Sequence, residues 1–270
     1  MTTARPTPEQ VKSCCAATYG SDLVAMLLGD AYHPGGMTLT RHLAGLLALT
    51  PNDRVLDVAA GRGTTALMLA HEYSVRVDGV DLSATNVALA QGAADAAGVA
   101  AQVRFTAGDA ERLPYPDAVF DAVVCECAFC TFPDKPAAAA ELARVLRPGG
   151  RVGLTDVVAD PARLPGELTG LTAWVACVAD ARPIDEYAAI LTDAGLRIMH
   201  TGRHDAAMRR MIDQIEGRLG VVRMTARARA EALGMNFDRA PAVLAAARAA
   251  VADGLLGYGL LVADRPDRPS

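Results

Sequence analysis

Apolar residues fall at helical spacing in "PEQVKSCCAATYG" and "LTRHLAGLLAL", and "AYHPGG" breaks the pattern between them. Residues 1–50 therefore read as an N-terminal helical cap. The pattern then changes to short, almost wholly apolar runs: "RVLDVAA", "VRVDGVD", "QVRFTAG", "FDAVVCEC" and "RVGLTDVV". Among them stand "TTALMLAHEY", "SATNVALAQGAADAAG" and "KPAAAAELARVL", which have the helical period; the second opens on a serine cap and the third is stopped by "RPGG". Strands apolar on both sides belong inside a sheet covered by helices. Residues 51–160 thus predict an α/β core with a doubly wound, mostly parallel sheet. Further on, "LTGLTAWVACVADA" and "IDEYAAILTDAG" read as helices, "LRIMHTGRH" and "LLGYGLLVA" as strands, and residues 205–253 as mostly helix. Residues 161–270 are expected to bring the sheet to seven strands and to add helical insertions on its ligand side.

Composition narrows the classes. The chain has 270 residues, 51% hydrophobic and 21% charged, enough for a sizeable core. No apolar run approaches the ~20 residues of a membrane span. The opening "MTTARPTPEQ" lacks the apolar stretch of a secretory signal, so a cytoplasmic location and no membrane partner are expected. A net charge of −5 and the lack of a long basic stretch argue against nucleic acid. In a reducing compartment the six cysteines, Cys14, Cys15, Cys125, Cys127, Cys130 and Cys177, are expected to be thiols or ligands rather than disulfides.

The first candidate site is the turn in "VLDVAAGRGTTA". Gly61 and Gly63 allow a tight turn and a close backbone approach to a ligand at a helix start. Alone, "GRGTTA" also fits a dinucleotide fingerprint, but Asp57 at the end of the first strand would repel a pyrophosphate and attract an ammonium. Asp81, ending "VDGVD", is placed for two ribose hydroxyls. In "GDAERLPYPD", Asp109 is placed for an adenine amino group and Ala110 offers a backbone N–H. The ordered set "VLDVAAGRG", "GVDLS", "GDAERLPYPDAVFDAVV" and "ARVLRPGGRVGLTDV" resembles the class I S-adenosylmethionine-dependent methyltransferases over roughly residues 40–160. The resemblance implies a Rossmann-like fold with S-adenosyl-L-methionine as cofactor. Its site would be lined by Asp57, Ala59, Gly61, Gly63, Asp81, Leu82, Asp109, Ala110 and Cys125, Ala59 standing where the family usually has glycine.

The second candidate site is "VVCECAFCTFPDK". Four readings of its cysteines are open: thiols packed behind the sheet, a zinc site, an iron–sulfur site, or thiolates holding a soft substrate beside the methyl donor. Three thiols within six residues at a strand's C-terminal end favour the last, since doubly wound sheets bind ligands there. "CECAFCTFPDK" and "AWVACVADA" resemble two stretches of the arsenite methyltransferase family. That resemblance puts Cys127 and Cys177 on the cysteines that hold trivalent arsenic, and Asp134 and Lys135 on an Asp-Lys pair. It leaves Cys14 or Cys15 for an N-terminal exchange thiol, and Cys125 and Cys130 to complete or recycle the site. Cys125, Cys130 and Asp180 depart from the family's serine, asparagine and glycine. A lone pair on thiolate-held arsenic needs no general base, and a cellular thiol would act as reductant. The alternatives are methylation of a small organic metabolite on O, N or C, or a non-catalytic thiol sensor.

Other residues carry weaker signals. His33 reads as a surface-turn histidine or a substrate contact, and Tyr19 as a packing residue or a cover for the cofactor. Glu126 reads as a solvent-facing loop carboxylate or a third group around a cation. His200 and His204, four apart, read as exposed or as a metal pair. Because Asp57 would face its phosphates, NADH at micromolar concentration is expected to show no saturable fluorescence enhancement with the pure protein. A saturable signal would reverse the choice of nucleotide.

Overall fold

The computed structural model describes residues 7–12, 26–29, 32–168, 178, 180–232 and 236–267. Helical turns occupy residues 8–12 and 26–28. After them come α1 (Gly36–Leu47), β1 (Arg54–Val58), α2 (Thr64–Tyr73), β2 (Arg76–Asp81), α3 (Ala84–Ala96), β3 (Val103–Ala107) and β4 (Phe120–Glu126). The chain continues through α4 (Lys135–Val145), β5 (Leu146–Ala159), α5 (Ile184–Asp193), β6 (Arg197–Arg203), α6 (Asp205–Thr225), α7 (Arg227–Ala232), α8 (Ala240–Ala252) and β7 (Leu256–Asp264).

The seven strands form one sheet in the order β3-β2-β1-β4-β5-β7-β6. Every pairing from β3 to β5 is parallel, and β7 runs antiparallel to both neighbours. Helices cover both faces, as the two-sided apolar strands require: Val55, Leu56, Val58, Val123, Val124 and Leu154 are all buried. The strand order reverses between β1 and β4, and such a switch point opens a crevice at the strands' C-terminal ends. The serine cap expected from the sequence is present, and an aspartate cap joins it. The Ser83 hydroxyl accepts from the Asn86 N–H to cap α3, and Asp134 caps α4 by accepting from the Ala137 N–H at 2.9 Å. "RPGG" does more than stop α4, because β5 takes up the chain at once. Leu146 pairs with Phe120, and the register slips before Ala122 meets Arg151. No helix among the described residues is long and apolar enough to cross a membrane.

The turn from β1 into α2 depends on Gly63. Its φ of 83° is left-handed, and a Cβ there would lie 2.6 Å from Phe105 Cζ and 3.0 Å from Ala90 Cβ. Gly63→Ala is expected to destabilise the chain by about 1–3 kcal/mol, from crowding and backbone strain together. Urea unfolding with an unchanged slope and a lower midpoint would show it.

Candidate functional site

A cavity opens at the switch point. Asp57, Ala59, Gly61, Asp81, Leu82, Asp109 and Ala110 line it, while Gly63 sits behind them at the start of α2. Ala59, at φ 58°, adopts a left-handed conformation that glycine takes at no cost and alanine holds at about 1–2 kcal/mol. Asp81 ties the turn to β2: Oδ2 accepts from the Gly61 N–H at 2.9 Å, and Oδ1 from the Ser83 N–H at 2.8 Å. Oδ1 also accepts from Asn86 Nδ2 at 3.3 Å; a carboxylate has about four acceptor positions, so capacity for one ligand hydroxyl remains. Asp109 is engaged from an unexpected side. Lys12, in the N-terminal helical turn, pairs with it at 2.8 Å and also with Glu111. Burial opposes ionisation of Asp109, but the Lys12 ammonium and the Glu111 N–H outweigh it and hold its carboxyl below the usual range.

The deeper wall is acidic. Asp57 is buried and accepts from the Ala66 N–H, yet its Oδ2 has no hydrogen-bond partner. Burial, then Glu126 and Asp81, push its carboxyl well above the usual range. Glu126 does not face solvent; its side chain is 5% exposed. Threonine hydroxyls from three elements donate to it: Thr40 of α1 at 3.1 Å, Thr65 of α2 at 2.8 Å and Thr155 of β5 at 3.3 Å. His33 is not a surface residue either. It is 8% exposed and lines the cavity, with Nε2 3.3 Å from Thr40 Oγ1 and 3.9 Å from Glu126 Oε2. The break in "AYHPGG" hid this, since only the docking of α1 onto β5 and β7 carries that turn to the sheet's ligand end.

The three cysteines of β4 and its following turn do not converge. Cys127 lines the cavity at a left-handed φ of 54°, its N–H donating to Thr155 O at 2.7 Å. Cys125 and Cys130 are fully enclosed in the core, and neither lines the cavity. The expectation that Cys125 contacts cofactor and Cys130 substrate is corrected on this geometry. Strand alternation turns Cys125 inward, and the short helical turn Phe129–Thr131 packs Cys130 beneath the loop. Burial, then Asp156, Asp57 and Glu126, push the Cys125 thiol well up, against thiolate formation. The Asp134-Lys135 pair holds structure: Asp134 caps α4, while buried Lys135 donates to the carbonyls of Cys130 at 3.0 Å and Phe132 at 3.1 Å and pairs with Asp180. Cys14, Cys15, Tyr19, Trp174 and Cys177 lie outside the described residues. His204 packs edge-on against His42 at 5.8 Å, and among the described residues no group of three or more His, Cys, Asp or Glu is arranged to hold a metal.

Residues 55–150 match the family model described as a methyltransferase domain. The 27-O-demethylrifamycin SV methyltransferase of Amycolatopsis mediterranei is 35% identical over 206 residues, covering 71% of this chain and 75% of that protein. The chain belongs to the class I S-adenosylmethionine-dependent methyltransferases. A demethylmenaquinone methyltransferase of Deinococcus radiodurans is 45% identical over 114 residues, 42% of this methyltransferase and 46% of that one. Among solved structures, the [4+2]-cyclase SpnF superposes with a TM-score of 0.72 at 27% identity, covering 97% of each chain. The geranyl diphosphate C-methyltransferase of Streptomyces coelicolor A3(2) reaches 0.73 at 18% identity, covering 96% and 100%, a likeness of fold alone.

The methyltransferase uses S-adenosylmethionine, and the donors present fit that group. A buried carboxylate with an unpartnered oxygen suits an ammonium, and the acidic wall suits a sulfonium. The folded-state pKa of Asp57 lies above its unfolded value near 3.8, so without cofactor this acid costs stability as pH rises through that window. Asp57→Asn is expected to have opposite effects on the two states. Relative to wild type, the melting temperature of the cofactor-free variant rises as pH is raised above the unfolded carboxyl range. S-adenosylmethionine affinity by calorimetry falls about 10-fold or more, a loss of about 1.4 kcal/mol or more.

Proposed function

We propose that this methyltransferase alkylates an oxygen of a small organic acceptor, with His33 as general base and Thr40 and Glu126 holding it. One observation carries the reading: a buried His–Thr–Glu chain opens onto the same cavity as Asp57, Gly61 and Asp81. Asp57 would take the cofactor's ammonium, Asp81 a ribose hydroxyl, and Asp109 with Ala110 its adenine. When bound, S-adenosylmethionine supplies an electrophilic sulfonium methyl. The Pro34 carbonyl, 3.3 Å from His33 Nδ1, can only accept and so takes Nδ1–H, which leaves Nε2, beside Thr40 and Glu126, as the basic nitrogen. A proton taken at Nε2 from the acceptor hydroxyl would lie 3.3 Å from Thr40 Oγ1, with the Glu126 carboxylate 3.9 Å from the new imidazolium. Loss of its proton to His33 would make the acceptor oxygen the nucleophile for the sulfonium methyl, whose transfer would leave a neutral thioether. The acidic wall favours the cation before transfer, and alignment of acceptor and methyl supplies much of the rate. The rifamycin relative, named as a methyltransferase of 27-O-demethylrifamycin SV, supports an oxygen acceptor.

Cys127 supports a second reading, methylation of thiolate-held As(III), because its thiol is on the cavity wall. That reading needs Cys177 as second ligand and a cellular thiol as reductant. The pure protein should be given S-adenosylmethionine with a panel of hydroxylated polyketide and aromatic acceptors, and separately with As(III) and glutathione, and the products speciated. The oxygen reading expects an O-methyl product, and His33→Asn to lower kcat about 10²–10⁴-fold with cofactor affinity intact. Cys127→Ser should then change kcat little. Methylated arsenic formed by His33→Asn as fast as by wild type, and lost in Cys127→Ser and Cys177→Ser, would establish the metalloid instead.

A further inference from the structure

A second cavity of about 270 Å³ adjoins the first, with His33 lining both. One water needs only ~10–15 Å³, so there is room for a ligand group. Its far wall is α6, which presents Arg210, Gln214 and Arg218 at successive four-residue steps, a single face of the helix. Its near wall is the N-terminal turn of α1 at Gly35 and Gly36, where no side chain caps the helix amides.

Three features make this a built cationic chamber. Arg218 is fixed in place, its Nη1 donating to the Leu27 carbonyl at 2.8 Å. Its guanidinium lies against Gly29, where φ is 77° and a Cβ would come within 2.8 Å of Arg218 Cζ; only glycine leaves that space. Second, neither Arg210 nor Arg218 forms an ion pair with a carboxylate among the described residues. The acids of α6 are drawn away, Asp205 to Arg203 at 3.0 Å, and Asp213 at 2.9 Å and Glu216 at 2.6 Å to Arg248 of α8. Third, this concentration of positive charge stands in a chain of net charge −5, across His33 from an acidic wall. Paired guanidinium groups bind carboxylate and phosphate oxygens through several N–H donors at once.

We infer that the second cavity binds an anionic group, carboxylate or phosphate, of the methyl acceptor, and so orients the acceptor with its nucleophilic oxygen at His33. The orientation rests on the oxygen-methylation reading; the anion site itself does not. Two chambers of opposite charge then sort the two reactants, the cationic donor to Asp57 and Glu126 and the anionic acceptor to the arginines. The acceptor's anion also lies beyond His33, away from the carboxylates that would repel it.

Calorimetry of the full chain, saturated with S-adenosylhomocysteine, tests this with two probes: inorganic phosphate and benzoate. At least one probe is expected to bind saturably in the millimolar range, more weakly as sodium chloride is raised. Arg210→Gln, on the exposed part of the helix, should weaken that binding about 5–10-fold, and Arg210→Gln with Arg218→Gln should abolish it. S-adenosylhomocysteine affinity, measured alongside, should stay within about twofold in both variants and shows that they remain folded. Preference for phosphate would identify a phosphorylated acceptor, and preference for benzoate a carboxylate. Binding of neither probe, or binding unchanged in Arg210→Gln, would overturn the site. No turnover is involved, so that failure would leave the role of His33 standing, and a failed His33→Asn prediction would leave the anion site standing.

Discussion

A single buried carboxylate organises the ligand end of this fold. Glu126 ends the central strand β4, where the sheet is covered on both faces, and a charge there persists only if donors converge on it. Thr40, Thr65 and Thr155 supply them from α1, α2 and β5. Hydrogen bonds to a charged group contribute about 1.5–3 kcal/mol each, so each threonine also fixes its own element against the end of the sheet. The Thr155 hydroxyl meets Tyr258 of β7 at 2.9 Å, which extends the network to the antiparallel strand. The helices, the glycine turn and the cavity are positioned through these contacts.

The same carboxylate sets the electrostatics. With Asp57 and Asp81 it makes a wall that opposes the ionisation of Asp57, after the larger effect of burial. Such crowding is unfavourable in the empty protein and is relieved by a cation, the property needed to hold a sulfonium donor. The N-terminal segment closes the other end of the cavity through Lys12, one of only two lysines in the chain, on Asp109 and Glu111. The loop after β3 thus meets a residue 97 positions earlier in the chain.

The cysteines show how proximity along a chain differs from proximity in space. Cys125, Cys127 and Cys130 are near neighbours in sequence, but a strand, a left-handed residue and a short helical turn send their thiols apart. One reaches the cavity and two fill the core. Asp134 and Lys135 likewise read as part of a ligand motif and serve instead as a helix cap and a clamp on loop carbonyls. A residue type at a motif spacing identifies a loop, while the direction of each side chain depends on backbone angles that spacing does not encode.

The sequence alone determined the α/β class, the seven strands, the helix cap at Ser83, the turn with Gly61 and Gly63 after Asp57, and Asp81 at the end of β2. These follow from local rules: apolar period, capping chemistry and the left-handed freedom of glycine, each readable within a few residues. The burial of His33, the hydroxyl cage around Glu126, the reach of Lys12 and the separation of the thiols were decided only by the tertiary structure. Each depends on elements distant in sequence: α1 lying on β5 and β7, the N-terminal turn reaching the loop after β3, and α6 lining a cavity with the start of α1. Hydrophobic burial is non-directional and drives such docking without marking in the sequence which polar groups will meet.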